Sequence, residues 1–254
     1  MHNLKNINKS SVYIYDGSYY GFLCCVFQSV YSQTMPIEIA TYEDNLITLY
    51  ETIIIDTDED KAKRVQRSIP SKISARAQKL IETVFLSCMK HKELKMLKFL
   101  LRGYREGGKI LTKLGDPDVS PLLKAEKSLL SEAHLFNGFV RFADYGNFLA
   151  ATITPKNFVL PFITKHFILR YKDDDIVIFD NTHRAALVYR SRCPEIISVD
   201  NIEFPPITEE EFKYRALWKR FYDTLSIQGR ENPRCRMTHM PKRFWVNMLE
   251  MQDQ

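Results

Sequence analysis

Apolar residues recur at spacings of three and four through most of the first half of the chain, and in the second half they fall into short runs between turn residues. Residues 12–15 read as a strand that enters Asp16-Gly17-Ser18. A helix follows, with Tyr19, Phe22, Leu23, Val26, Phe27 and Val30 on one stripe and Asp16 or Ser18 as its N-cap. Residues 52–56 form a second β-rich run. Residues 71–89 then place Ile73, Ala77, Leu80, Ile81, Val84, Phe85 and Cys88 on one helical face, and residues 93–106 do the same with Leu94, Leu97, Leu101 and Tyr104.

Gly103, Gly107, Gly108 and Gly115 are four of the nine glycines and stand just ahead of Asp116-Pro117. This breaker zone divides a region 1–115 from a region 116–254, although one compact domain also accommodates the chain. Ser120 as N-cap with Pro121 at the first helical position opens another helix. Residues 139–143 and 148–153 flank Asp144-Tyr145-Gly146-Asn147 and read as a β-hairpin. Residues 157–170 are helical in pattern. A second hairpin pairs 176–179 with 185–189, and Thr208 with Glu211 makes a capping box for a helix ending near Leu225. That helix's buried stripe is expected to be Tyr214, Leu217, Trp218, Phe221 and Leu225. The class is α+β: a helical N-terminal part with a short strand pair, two β-hairpins with a connecting helix, and a C-terminal helical tail.

Composition adds little, with 45% hydrophobic and 26% charged residues over 254 positions. The longest apolar run, from Phe22 to Phe27, is far too short to span a bilayer, and the polar residues 1–11 lack the apolar core of a signal peptide. The expectation is a cytoplasmic chain with no membrane partner. Five cysteines without a C-x-x-C pair suit reduced thiols, with Cys24, Cys25 and Cys88 as small buried hydrophobes. Cys235 and His239 have helical spacing, but two ligands do not make a metal site.

Charge changes the picture more. Residues 61–113 carry fifteen Lys/Arg against three acids, and residues 212–245 carry nine against two, while the whole chain has a formal charge of only +5. Segregated Lys/Arg is the electrostatic footprint of phosphate-backbone binding. Lys95, Lys98, Arg102, Arg105 and Lys109 recur at spacings of three and four and share one face of a helix. In the second stretch Arg230, Arg234, Lys242 and Arg243 stand near Trp245 in a Pro-broken segment, which suits anions and exposed bases.

Several motifs carry a resemblance across nearly the whole chain. They are Tyr15-Asp16-Gly17-Ser18-x-x-Gly21-Phe22-Leu23-Cys24, His134-x-Phe136-x-Gly138-Phe139-x-Arg141-Phe142 and His166-Phe167-x-x-Arg170. Asp180-x-x-x-Arg184, Leu217-Trp218, Arg230-x-Asn232-Pro233-Arg234 and Met240-Pro241-Lys242-Arg243-Phe244-Trp245 complete the set. Together they resemble an uncharacterised bacterial family labelled probable DNA metabolism protein. The resemblance implies DNA as a partner and a radical-SAM DNA modification or repair protein encoded alongside; some members are fused to a uracil-DNA-glycosylase-like domain. It carries no established reaction. The chain lacks the three-thiolate C-x-x-x-C-x-x-C spacing of a radical-SAM cluster, zinc-deaminase spacing and a P-loop, so no cofactor or metal is expected and any radical chemistry belongs to the partner.

Three readings follow. The first is a DNA-binding partner of a separate enzyme, with Arg141, Arg170 and Arg184 adding to the phosphate contacts above. A second is a hydrolase or glycosylase-like enzyme using His134, His166 and Asp180, in which histidines supply acid/base chemistry and Asp180 orients a His or a water. A third is an assembly protein whose basic faces dock an acidic partner. Asp16, Gly17 and Ser18 add a candidate anion site at a strand-to-helix turn.

Overall fold

A computed structural model describes residues 11–225 and 232–251. The chain divides into two compact units, one ending at Leu129 and the other starting at Leu130, so the division falls inside a helix rather than in the glycine zone at 103–115.

In the first unit, β1 (Ser11–Tyr15) is the middle strand of a three-stranded sheet, with β2 (Glu38–Thr41) and β3 (Glu51–Ile54) parallel to it on either side. Sequence reading found only a strand pair; β2 is four residues long and its hydrophobic signal is just Ile39-Ala40. Parallel neighbours need a crossover, which α1 (Tyr19–Ser32) supplies between β1 and β2. Ser18 caps it, its Oγ accepting from Gly21 N at 2.9 Å. Gly21 is required here, because a Cβ would overlap Asp16 Oδ1, Thr57 Oγ1 and the Tyr15 ring.

Three more helices and the first half of a fourth complete this unit. Asp58 caps α2 (Glu59–Lys72) by accepting from the amides of Asp60 and Lys61, so the acidic run 56–60 serves a helix start. Ser74 caps α3 (Ala75–Phe85), which ends before Cys88 and leaves that cysteine exposed, contrary to its expected burial; Cys24 and Cys25 are buried. Next come α4 (Lys92–Glu106) and α5 (Ser120–Phe139). The core joins Tyr13, Phe22 and Leu23 to Leu80, Ile81, Met96 and Phe99, all fully buried. Each such side chain contributes about 1.5–3 kcal/mol of transfer free energy.

In the second unit, β4 (Ala143–Asp144), β5 (Leu149–Ile153), β6 (Ile176–Asp180), β7 (Ala185–Arg190) and β8 (Cys193–Ser198) form one mixed sheet in sequential order. The expected first hairpin shrinks to a two-residue β4, because residues through Phe139 continue α5. The two hairpins are not separate. α6 (Leu160–Arg170) carries the chain from β5 to β6, which pair in parallel. β8 escaped the sequence pattern because all six of its residues are exposed.

α7 (Glu209–Leu225) corrects the expected burial. Thr208 Oγ1 accepts from Glu211 N, but the Glu211 carboxylate reaches Asp144 N and Arg215 instead of closing a capping box. The helix lies against its unit through the Glu211–Asp144 N bond and a Trp218–Glu250 hydrogen bond. Its apolar stripe therefore faces outward, with Tyr214 67% and Leu217 59% exposed. α8 (Pro233–His239) and short 3-10 turns bring Phe244 and Met248 into the core with Ile163, Phe167 and Leu187.

Glu132, 2% exposed, ties this unit together. It accepts from Lys156 N (3.0 Å), Asn157 N (2.9 Å), Asn157 Nδ2 (2.5 Å) and Arg243 (2.5 Å), linking α5, the β5–α6 loop and the C-terminal turns. Removing one partner of a buried ion pair leaves the other uncompensated. Glu132→Ala is expected to cost about 3–5 kcal/mol in urea unfolding; a loss below about 1 kcal/mol would show that the pair is not structural.

Candidate functional site

α4 presents the basic face that its spacing predicts, because Met96, Leu97, Leu100 and Gly103 are buried on the other side. Lys95, Lys98, Arg105 and Lys109 have no carboxylate partner among the described residues, and Lys98, Arg105 and Lys109 are exposed. Two corrections apply. Arg102, at the middle of the face, is held by Asp116 (2.8 Å to each oxygen), Asp118 (2.7 Å) and Glu106 (3.4 Å), so it has no free edge for a phosphate. Lys109 does not continue the helical stack: Gly107, at φ +64°, ends α4 and a 3-10 segment (Gly107–Thr112) follows.

Over the whole stretch, five of the fifteen cations in 61–113 pair with carboxylates: Lys61, Lys63, Arg76, Arg102 and Lys113. Lys92 instead donates to the carbonyls of Phe85 and Ser87, and burial pulls its pKa down. Arg64 lies over Tyr31 (5.4 Å) and Phe27 (6.0 Å), which stack on each other, while Lys72 lies over Tyr104 (5.9 Å). Cationic groups are thus interleaved with aromatic faces along α1, α2 and α4.

The expected catalytic trio is not joined by any hydrogen bond among the described residues. Asp180 is fully buried at the end of β6. Its Oδ1 accepts from the amides of Thr182 (3.0 Å) and His183 (3.1 Å), and its Oδ2 bonds His183 Nδ1 at 2.7 Å. The histidine it orients is therefore His183, which the sequence reading passed over; the signal was Asp-x-x-His across a hairpin turn. His134 lies exposed on α5, and His166 on α6 packs edge-on to Phe167 with its Nε2 buried and unbonded.

The arginines of this unit are largely taken up internally. Arg141 donates to Glu250 (2.6 Å) and to the carbonyls of Gly138 and Val140; despite its burial, Glu250 is held below the ordinary carboxylate range by that arginine. Arg184, in left-handed backbone (φ +52°), donates to Asn181 and to the Asp200 carbonyl. Arg243 belongs to Glu132. Arg170 is exposed and lies over Tyr171, and Arg234 is exposed on α8. Trp245 donates to the Met240 carbonyl and has Arg236 and Lys242 over its ring at 5.3 and 5.8 Å. Arg230 lies outside the described residues.

At the strand-to-helix turn, Gly17 adopts φ +79° and Asp16 accepts from Ser18 N (2.9 Å) and Thr57 Oγ1 (2.7 Å). Burial works against the Asp16 carboxylate, yet these bonds hold its pKa down. The amides of Ser18 and Gly21 are thus already satisfied by side chains of the turn itself. No group of three metal-ligating side chains occurs among the described residues, and no described helix is long and apolar enough to cross a membrane.

The hydrogen bonds from Arg102, then the Asp118 amide, hold the Asp116 carboxyl down at about 2, and Lys113 holds Glu106 below its usual range. A depressed carboxylate stabilises the fold above its unfolded pKa of about 4 and loses that contribution as pH falls through its folded value. The stability gap between the parent protein and Asp116→Asn is therefore expected to be full at pH 7 and to vanish toward pH 2. A gap that persists in acid would contradict the pairing.

No curated protein and no solved structure matches the chain. Residues 90–250, from the start of α4 to the C-terminal turns, match the family model described as a domain of unknown function, DUF4130, and the chain belongs to that family.

Proposed function

We propose that this protein binds nucleic acid through its first unit and acts in DNA metabolism beside a separate enzyme. One observation carries the proposal: ten of the fifteen Lys/Arg in 61–113 have no carboxylate partner among the described residues. Cations needed only for the fold would be matched locally, as Arg102 and Arg76 are. Unmatched ones leave a positive potential that a polyanion lowers by releasing its counterions. Lys95, Lys98, Arg105 and Lys109 are the phosphate contacts, and the aromatics beside Arg64 and Lys72 support them. The resemblance to a DNA-metabolism family points to DNA as the polyanion and to a radical-SAM enzyme as the companion that supplies the chemistry. An enzymatic reading through His134, His166 and Asp180 gains no support, since Asp180 is filled by His183 and two turn amides.

Fluorescence anisotropy with single- and double-stranded DNA over a salt series tests this. Affinity is expected to fall with salt. The combined variant Lys98→Gln/Arg105→Gln/Lys109→Gln should weaken binding for all sequences alike and reduce the salt slope by up to about 3. Arg102→Gln should lower stability while leaving that slope unchanged. Binding that ignores salt, or that survives the triple change, would overturn the proposal.

A further inference from the structure

The second unit contains a cavity of about 160 Å³ that no residue discussed so far explains. It opens where β4 and β5 part. Their ladder runs only from Asp144–Leu149 to Ala143–Ala150. Leu149 and Ile153 bond toward the β6 side, so Thr152, in register with Phe179 of β6, turns its main-chain N–H and C=O to the opposite edge, where β4 has ended. Ala143, Ala150 and Ala151 leave the floor open, since none of them carries a side chain large enough to fill it.

The walls are chemically specific. Phe148, Tyr145 and Phe204 form a ladder of stacked rings, with centroids 5.3 and 5.6 Å apart and planes within 24°. The ladder stops at Phe204, which lines the cavity with Tyr145. Above it stands Arg215 of α7. Its Nε donates to Glu211 at 2.7 Å, which fixes the guanidinium plane and leaves both terminal nitrogens without a partner among the described residues. Asn247 closes the far side. Its Nδ2 donates to Thr154 Oγ1 at 3.4 Å, and its amide oxygen has no partner among the described residues. Arg141 also lines the cavity, but its donors are filled by Glu250 and two carbonyls.

We infer that this cavity is a nucleotide site: a planar base extends the ring ladder at Phe204, its polar edge meets the Thr152 main chain and the Asn247 amide, and Arg215 holds the adjoining phosphate. An aromatic face beside a strand edge reads a base, and a guanidinium fork reads a phosphate. A purely aliphatic ligand would leave these polar groups unpaired, and a bare anion would not use the ring ladder. The inference rests on the nucleic-acid reading of the preceding subsection, with the base taken from an unstacked DNA strand. It adds base contact to a backbone contact made by the first unit.

The test compares three probes by anisotropy or calorimetry on the full chain: a short deoxyadenosine oligomer, an abasic oligomer of equal length, and AMP alone. The base-bearing oligomer should bind more tightly than the abasic one by roughly 5- to 150-fold, the range of one stacked base. Phe204→Leu, which keeps volume but removes the π-face, should erase that preference and leave abasic binding intact. Arg215→Lys, which keeps a cation beside Glu211 but loses the fork, should do so in part; unchanged melting temperatures guard against misfolding. Equal binding of both oligomers overturns the site while leaving the backbone reading standing. AMP bound through Phe204, with no oligomer binding, keeps the pocket, assigns it to free nucleotides and overturns the DNA reading.

Discussion

Arginine clamped by a withdrawn carboxylate is the interaction on which the rest of this structure depends. Glu126 holds Arg76, Asp116 and Asp118 hold Arg102, Glu132 holds Arg243, Glu211 holds Arg215 and Glu250 holds Arg141. The side chains of Glu132, Glu211 and Glu250 are less than a tenth exposed. A carboxylate so withdrawn needs a partner that supplies several donors in a plane, which guanidinium does and ammonium does not. Most of these pairs join segments far apart in sequence, so they tie α3 to the first half of α5, and the second half of α5 and the segment after it to the C-terminal turns.

That division of labour sorts the positive charge. Arg76 and Arg102 are drawn into the scaffold, and Lys61, Lys63 and Lys113 make more exposed pairs, whereas Lys95, Lys98, Arg105 and Lys109 have no carboxylate partner among the described residues. The net basic character of 61–113 is then a surface property, while most of the arginines around the sheet of the second unit are architectural. Arg215 belongs to both classes, since one edge is clamped and the other is open.

Periodicity made α4 legible because it has one buried face and one solvated one, whereas α1 and the β6–β7 hairpin, buried on nearly every side, were legible as apolar stretches bounded by turn residues. It missed β2 and β8 for opposite reasons: β2 is too short to show alternation, and β8 has no buried face at all. α7 was legible as a helix but not in its orientation. Tyr214, Leu217, Trp218, Phe221 and Leu225 are spaced as a core stripe, yet the helix docks through Glu211, which accepts from Asp144 N, and through the Trp218 indole on Glu250, leaving the other four exposed. The candidate site was half legible. Spacing placed Lys95, Lys98 and Arg105 on one face, but the pairing of Arg102 with Asp116 and Asp118 depends on a chain reversal that spacing alone does not reveal. Nor does it show that Asp180 meets His183 rather than His134 or His166.

The central claim is that lysines of the first unit form an open surface for a phosphate backbone while the clamped cations do not take part. Lysine acetylation footprinting, read by mass spectrometry with and without DNA at low salt, measures this residue by residue. Lys95, Lys98 and Lys109 should label readily in the free protein and become protected by DNA, whereas Lys92, held by buried carbonyls, should label poorly in both states. Equal labelling of Lys95, Lys98 and Lys109 with and without bound DNA would contradict the account.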